Sequence, residues 1–130
     1  MYVQTTRLIK VIVTPAYLKE QSDPLDQQYV WAYTIQLENM GPETVKLINR
    51  YWHITDALGV VQEVRGEGVV GEQPVLEPGD VYQYTSGAGL HTPSGIMKGH
   101  YEMTTLDGEF FNIVIPAFSL DSPDQLKRPN

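Results

Sequence analysis

The chain of 130 residues contains no cysteine. This absence excludes disulfide bonds, thiolate metal sites and a cysteine nucleophile, and it is typical of proteins from a reducing compartment. The sequence also lacks any apolar run close to the roughly 20 residues that a membrane span requires. The stretch from Met1 to Arg7 is polar and has no apolar segment of the kind found in secretory signals. We therefore expect a cytoplasmic protein without membrane insertion.

Basic residues are also few. Nine Lys and Arg stand against sixteen Asp and Glu, which gives a net charge of −7. The basic residues are scattered, and the two that adjoin are Lys127 and Arg128. Binding to nucleic acid or to an anionic membrane depends on a basic face. The composition therefore predicts neither, whereas an apolar content of 42% is enough for the core of one domain.

Short segments of alternating polarity follow one another along the chain, and no segment has a helical period. Segment 28–39 alternates most regularly. Segment 44–56 begins with Val45 and Leu47 on one parity and then shifts to Ile48, Trp52 and Ile54, which predicts a β-bulge. The pattern predicts an all-β, immunoglobulin- or fibronectin type III-like β-sandwich of about seven antiparallel strands in two sheets, with a barrel as the second choice. We expect residues 1–120 to form this domain, residues 121–130 to form a polar C-terminal tail, and the chain to fray from Ser119 onward. The predicted strands are 7–18, 28–39, 44–56, 59–65, 81–86, 96–105 and 110–118.

Eight of the eleven glycines lie between Arg65 and Tyr101, which indicates tight backbone turns. Gly66 to Gly71 matches G-x-G-x-x-G, a pattern that holds a pyrophosphate when a helix follows it. Residues 72–78 contain two prolines and do not form a helical pattern, and the neighbouring Glu67 and Glu72 would repel an anion. Structural turns are therefore the favoured interpretation. Phosphate binding by Gly66, Gly68 and Gly71, assisted by Arg65, is the alternative.

Other chemical groups do not assemble into a site. The three histidines, His53, His91 and His100, have no local spacing that would complete a metal-ligand set. No G-x-S-x-G motif is present, so the serines near His91 are interpreted as loop residues. We predict no catalytic residue, no metal site and no cofactor.

The aromatic residues divide between the core and the surface. Trp31, Tyr33 and Tyr101 have the inward parity of their strands, so they are predicted to be buried. Either Tyr82 with Tyr84 or Tyr51 with His53 is expected to face outward, and the sequence leaves the choice open. A sandwich domain of this kind commonly binds another protein through its loops or a sheet face.

Several motifs follow one another in order along the chain. They include Arg50-x-Trp52-x-Ile54-Thr55-Asp56, Gly66-x-Gly68-Val69-Val70-Gly71-x-x-Pro74, Tyr84-Thr85-Ser86-Gly87, Pro93-x-Gly95-x-Met97-x-Gly99-x-Tyr101 and Asp107-Gly108-x-x-Phe111. Together these motifs resemble the bacterial ApaG family, also called CorD, over roughly residues 3–120.

The resemblance implies a fibronectin type III-like fold and a genetic link to cobalt resistance and magnesium efflux, without an agreed activity. Related domains in eukaryotic F-box proteins and in a polymerase-interacting protein look like protein-binding modules. A pyrophosphate site has been proposed for the family's glycine motif, and it would fall here on Gly66, Gly68 and Gly71.

Three functional hypotheses follow. The favoured one is a non-catalytic module that binds a protein partner through the loops Gly66–Gly71 and Gly87–Gly95 or through an exposed sheet edge. The second is nucleotide or pyrophosphate binding at Gly66–Gly71. The third is direct binding of Co²⁺ or Mg²⁺ by histidines and carboxylates. A homodimer formed through two sheet edges is also open, because a sandwich leaves edges that must be paired or protected.

Overall fold

Nine strands in two antiparallel sheets build the protein, in a computed structural model that describes residues 1–123. The all-β sandwich of the immunoglobulin or fibronectin type III kind is confirmed. Two single-turn 3-10 helices, Lys19–Gln21 and Pro24–Asp26, lie in the loop before the third strand. The strands are β1 (Tyr2–Thr6), β2 (Ile9–Tyr17), β3 (Tyr29–Asn39), β4 (Val45–Asp56), β5 (Val61–Glu67), β6 (Val75–Leu76), β7 (Val81–Leu90), β8 (Ser94–Thr105) and β9 (Phe110–Asp121).

The first sheet has the strand order β1-β2-β3-β7, and the second has the order β5-β4-β8-β9 with β6 beside β4. Strands β1 and β6 are additional to the seven predicted. The first is mostly polar and the second has two residues, so neither shows a period of two in the sequence. Both owe their strand conformation to pairing with distant segments, β1 with β2 and β6 with β4.

The core lies between the sheets and is built by alternate residues of each strand. In β3, every second residue from Tyr29 to Asn39 is buried. The predicted core residues Trp31, Tyr33 and Tyr101 are 1%, 5% and 0% exposed. The indole Nε1 of Trp31 donates a hydrogen bond to the carbonyl of Asp121 at 2.8 Å, so its polar atom is satisfied inside the core.

A β-bulge interrupts β4 at Ile48. The register against β8 shifts between Leu47 and Asn49, as the change of parity in the sequence predicts. The carbonyl of Ile48 accepts hydrogen bonds from the Gly68 amide and from the Gln73 side chain. Beyond the bulge, Arg50 and Trp52 occupy the inward positions of β4.

The sandwich has a closed side and an open side. On the closed side β1 lies against β9, and the amides of Val114 and Ser119 donate to the side chains of Thr6 and Tyr2 at 3.2 and 3.3 Å. On the open side the sheets end in β7 and β5. Within residues 1–123, β7 pairs with β3 and β5 pairs with β4, and no strand covers the other edge of either.

Two predicted boundaries are wrong. Strand β7 continues to Leu90 and β8 begins at Ser94, so the expected Gly87–Gly95 loop shrinks to residues 91–93. Strand β9 runs through Ser119 to Asp121 because Leu120 is a core residue with 0% exposure. The buried Ser122 donates to the Pro93 carbonyl at 2.7 Å, so this part of the chain does not fray. The rest of the predicted tail, residues 124–130, lies outside the described residues.

Candidate binding site

The glycine loop after β5 is a tight turn. The amide of Val69 donates to the carbonyl of Glu72 at 2.8 Å, and the amide of Glu72 donates back at 2.9 Å. The two residues between them, Val70 and Gly71, have φ angles of 43° and 80°. Positive φ at both central positions defines a type I′ hairpin turn. No helix begins at Gly71, in agreement with the structural interpretation of this motif.

At Gly68 and Gly66, other groups of the protein lie so close to the backbone that a side chain would not fit. A Cβ atom at Gly68 would lie 2.1 Å from the carbonyl oxygen of Glu72. At Gly66 it would lie 2.8 Å from both terminal nitrogens of Arg50. The Gly68 amide donates to the carbonyl of Ile48, and the amides of Val69 and Glu72 each donate to the carbonyl of the other residue. Three amide donors of the loop are therefore engaged. Phosphate binding by Gly66, Gly68 and Gly71 stays a prediction.

Arg50 holds this loop from the inner side of β4. Its Nη1 donates to the carbonyls of Glu67 and Gly68 at 2.9 and 3.0 Å, and its guanidinium lies over Gly66. The side chain is half-buried. No carboxylate of residues 1–123 forms an ion pair with it, whereas Arg7 and Arg65 are both paired with glutamates. Within residues 1–123, the hydrogen-bond acceptors of the half-buried Arg50 guanidinium are therefore backbone carbonyls.

Three tyrosine side chains lie near Arg50 between the sheets. The hydroxyls of Tyr84 and Tyr101 are 2.5 Å apart. Burial raises the pKa of Tyr33, Tyr84 and Tyr101 above the ordinary value for a phenol. All three are therefore neutral hydrogen-bonding groups at physiological pH. Tyr84 is 7% exposed, so it is a core residue and is excluded as an outward-facing aromatic residue.

A cleft of about 280 Å³ opens between the two free edges. Its floor contains Tyr33, Trp52 and Met97, with Arg50 at one end. It stays open because the inward positions of β7 at Ser86 and Ala88 carry small side chains. Sequence reasoning missed this cleft, which is formed by strands far apart in the chain. Its walls are formed by Gln62 and Val64 of β5 and by Ser86, Gly87, Ala88 and Gly89 of β7.

The outer face of the second sheet carries a second candidate surface around Tyr51. The Tyr51 ring stacks on His100 at 5.0 Å, and the Arg65 guanidinium lies 4.7 Å from the ring centroid. The Tyr51 hydroxyl donates to Glu63 at 2.7 Å, which lowers the pKa of that carboxyl. Tyr51 therefore faces outward, and this answers the choice between the two aromatic pairs that the sequence left open. Tyr51, Glu63 and Arg65 on this face already contact one another.

Arg65 lies over the Tyr51 ring on this outer face, where it lines the same cleft as Gly66. His53 and His100 line one cleft on this face, whereas His91 lines another cleft. Among residues 1–123, no group of three or more His, Asp or Glu side chains could hold a metal ion. The same residues include no helix long and apolar enough to span a bilayer.

Comparison with known proteins identifies the family. A family model described as the ApaG domain matches residues 19–105. The chain is 62% identical over 130 residues to Protein ApaG of Paramagnetospirillum magneticum, with 100% of both chains covered, and 61% identical over 127 residues to Protein ApaG of Agrobacterium fabrum, with 98% of both covered. A crystal structure of an ApaA protein from Bordetella pertussis is 50% identical and superimposes with a TM-score of 0.86, covering 88% of this chain and 94% of that one. The chain therefore belongs to the ApaG family.

Proposed function

We propose that this protein is a non-catalytic binding module that receives an extended segment of a partner protein along the free edge of β7. The observation that carries the proposal is the amino-acid composition of β7. Its ten residues, Val81–Leu90, include no charged side chain and no proline. Natural proteins usually protect an exposed edge with charges, prolines, bulges or a covering segment. The other open edge, β5, does carry charges at Glu63, Arg65 and Glu67.

Two glycines support the same surface. Of the eleven glycines, five have positive φ, and a Cβ atom would come within 3.4 Å of another group at Gly41, Gly66, Gly95 and Gly99. Gly87 and Gly89 show neither feature, since the nearest groups would be 3.5 and 3.7 Å from the added atom. Glycine within a strand costs stability and often marks close approach by another backbone. Both glycines lie in β7.

The outer face of the same sheet extends this uncharged surface. At its outward positions within the described strands, the charged side chains are those of Lys10 and Glu38, which are direct cross-strand partners. Their charges offset each other, so the face is close to neutral in a chain of net charge −7. A partner strand added to β7 would therefore meet no repulsive charge on this sheet.

The family relationship suggests the setting in which such binding would act. We propose that the protein contributes to cobalt resistance and magnesium efflux in the cytoplasm through a protein partner. The same proposal gives Gly66–Gly71 the role of shaping the end of β5, beside the cleft. A pyrophosphate titration monitored by amide NMR shifts tests this role. Shifts at residues 66–71 with micromolar affinity would instead support the nucleotide alternative.

Charge placed on β7 tests the binding surface. We expect Gly87→Lys to lower affinity for a purified physiological partner by at least about 30-fold, or roughly 2 kcal/mol, because it sets an unpaired cation within the interface. The partner would first be identified by co-purification at native expression, and affinity would then be measured by calorimetry with both proteins purified.

Thr5→Lys is the matched control. It places the same charge at an exposed outward position of the same sheet, on the edge strand β1 at the closed side. The control should retain the affinity of the unmodified protein. Equal affinity of Gly87→Lys and the unmodified protein, with the melting temperature of the variant unchanged, would contradict the proposal.

A further inference from the structure

The pleat of an added strand determines where its side chains go. Successive side chains of a strand point to opposite faces, and directly opposed residues of neighbouring strands share a face. Ser86 and Ala88 are inward residues of β7 and line the cleft. Side chains of a partner strand opposite these two residues would therefore enter the space between the sheets. In recognition of this kind, backbone pairing supplies affinity and the pockets for alternate side chains supply specificity.

The cleft presents one unmatched charge to such a side chain. Arg50 has five N–H donors, and its two hydrogen bonds to residues of the described chain both come from Nη1. Its planar group is suited to a carboxylate, and half-burial strengthens such a pair relative to one in water. Carboxylates are abundant in this protein, at sixteen, yet within residues 1–123 none pairs with Arg50.

We infer that the partner segment inserts one Asp or Glu side chain into this cleft and pairs it with Arg50. The inference rests on the proposed function, because it assumes that the partner segment docks along the free edge of β7. Apart from this carboxylate the segment is uncharged, matching β7 and the neutral sheet face. The apolar floor formed by Trp52 and Met97 accepts the methylene groups of the inserted side chain or an apolar neighbour.

The charge pattern also decides between a partner and a second copy of this chain. A homodimer formed by β7 pairing with β7 would bring Val81–Leu90 of the second copy beside the cleft. That segment contains no carboxylate. Arg50 would then stay unmatched in both copies, while two chains of net charge −7 would be brought together. An acidic residue from another protein satisfies Arg50, and a second β7 does not.

A pair of small molecules tests the cleft without knowledge of the partner. The compounds are 3-phenylpropionate, which combines a carboxylate with an apolar group, and its neutral amide, 3-phenylpropionamide. Binding to the full chain would be followed by NMR shifts of the Ser86–Gly89 amides and the Arg50 Nε. We expect the carboxylate to bind at least about tenfold more tightly than the amide, because its hydrogen bonds involve two charged groups.

Two variants test whether binding of the compounds depends on the Arg50 charge and on the space in the cleft. Arg50→Gln should remove the preference for the carboxylate, although it also removes bonds to the glycine loop. Ala88→Leu leaves Arg50 in place and fills the cleft, so it should abolish shifts from both compounds while the protein stays folded. Equal binding of acid and amide, unchanged binding by Ala88→Leu, or stronger shifts with inorganic phosphate centred on residues 66–71 would each overturn the inference.

The outcome separates this inference from the proposed function. Selective carboxylate binding in the cleft, together with a Gly87→Lys variant that keeps its partner, would support the cleft and refute docking along β7. Loss of the partner in Gly87→Lys without carboxylate selectivity would support docking and refute the role of Arg50. A concentration-dependent dimer that is seen by light scattering and abolished by Gly87→Lys would overturn the assignment of β7 to an acidic partner.

Discussion

Gly68→Ala is expected to lower the free energy of unfolding by at least about 3 kcal/mol, whereas Gly87→Ala leaves it unchanged or raises it by about 0.5 kcal/mol. At Gly68 the new methyl group would lie 2.1 Å from the Glu72 carbonyl, on a backbone with a φ angle of 60°. Relief would require movement of the type I′ turn that holds the buried Val69. At Gly87 the φ angle is ordinary and the nearest atom is 3.5 Å away.

Urea denaturation of both variants and the unmodified protein measures this difference. The comparison bears on the role of the glycine motif. If Gly68→Ala were as stable as the unmodified chain, the turn would be able to move, and the structural account of Gly68 would fail. Substantial destabilisation by Gly87→Ala would mean that β7 contains an internal constraint, and the glycine argument for partner binding would be lost.

The second large effect is a loss of stability at high pH. Burial raises the pKa of Tyr33, Tyr84 and Tyr101 in the folded protein, while the unfolded chain titrates near pH 10. Above about pH 10 the unfolded state therefore binds fewer protons than the folded state, so stability falls as pH rises. Each of these three phenols contributes up to about 1.4 kcal/mol per pH unit, so together they predict a slope of up to about 4 kcal/mol per pH unit. The pKa of Tyr82 is raised to about 12 and that of Tyr51 is also raised, so both add to the same slope. Below pH 10 their contribution is fully present.

Urea denaturation at several pH values between 9 and 11.5 measures this slope. Tyr84→Phe should lower the slope by up to about 1.4 kcal/mol per pH unit, since one buried phenol is removed. Tyr17→Phe is the control, because Tyr17 lies at the end of β2 and is not part of this buried cluster. A slope that is unaffected by Tyr84→Phe and reduced by Tyr17→Phe would show that the buried cluster is not responsible.

The regular strands could be predicted from the sequence because their burial has a period of two. Strand β3 shows this most clearly, with Trp31 and Tyr33 both inward as expected. The change of parity in β4 also predicted the bulge at Ile48. Strands β1 and β6 were missed because they depend on partners distant in sequence. The end of β9 was missed because Leu120 is a buried residue within a polar stretch.

The site was less accessible to sequence reasoning, for a physical reason. In the sequence Gly87 and Gly89 look like Gly66 and Gly68, and all four suggest a turn. The two pairs of glycines differ in the groups that lie beside them in the folded protein. These neighbours are determined by strand pairing. The inward placement of Arg50 likewise depends on how the bulge turns β4, and the cleft exists because β5 and β7 end their sheets on the same side.

Amide hydrogen exchange of the purified complex tests the central claim, that β7 is the working surface, most directly. In the free protein, the β7 amides that face away from β3 have no strand partner among residues 1–123 and should exchange rapidly. In the complex we expect their exchange to slow by at least about 100-fold, as they donate to a partner backbone. Protection confined to residues 66–71 or to the face around Tyr51 and His100, with β7 exchanging as in the free protein, would contradict the account.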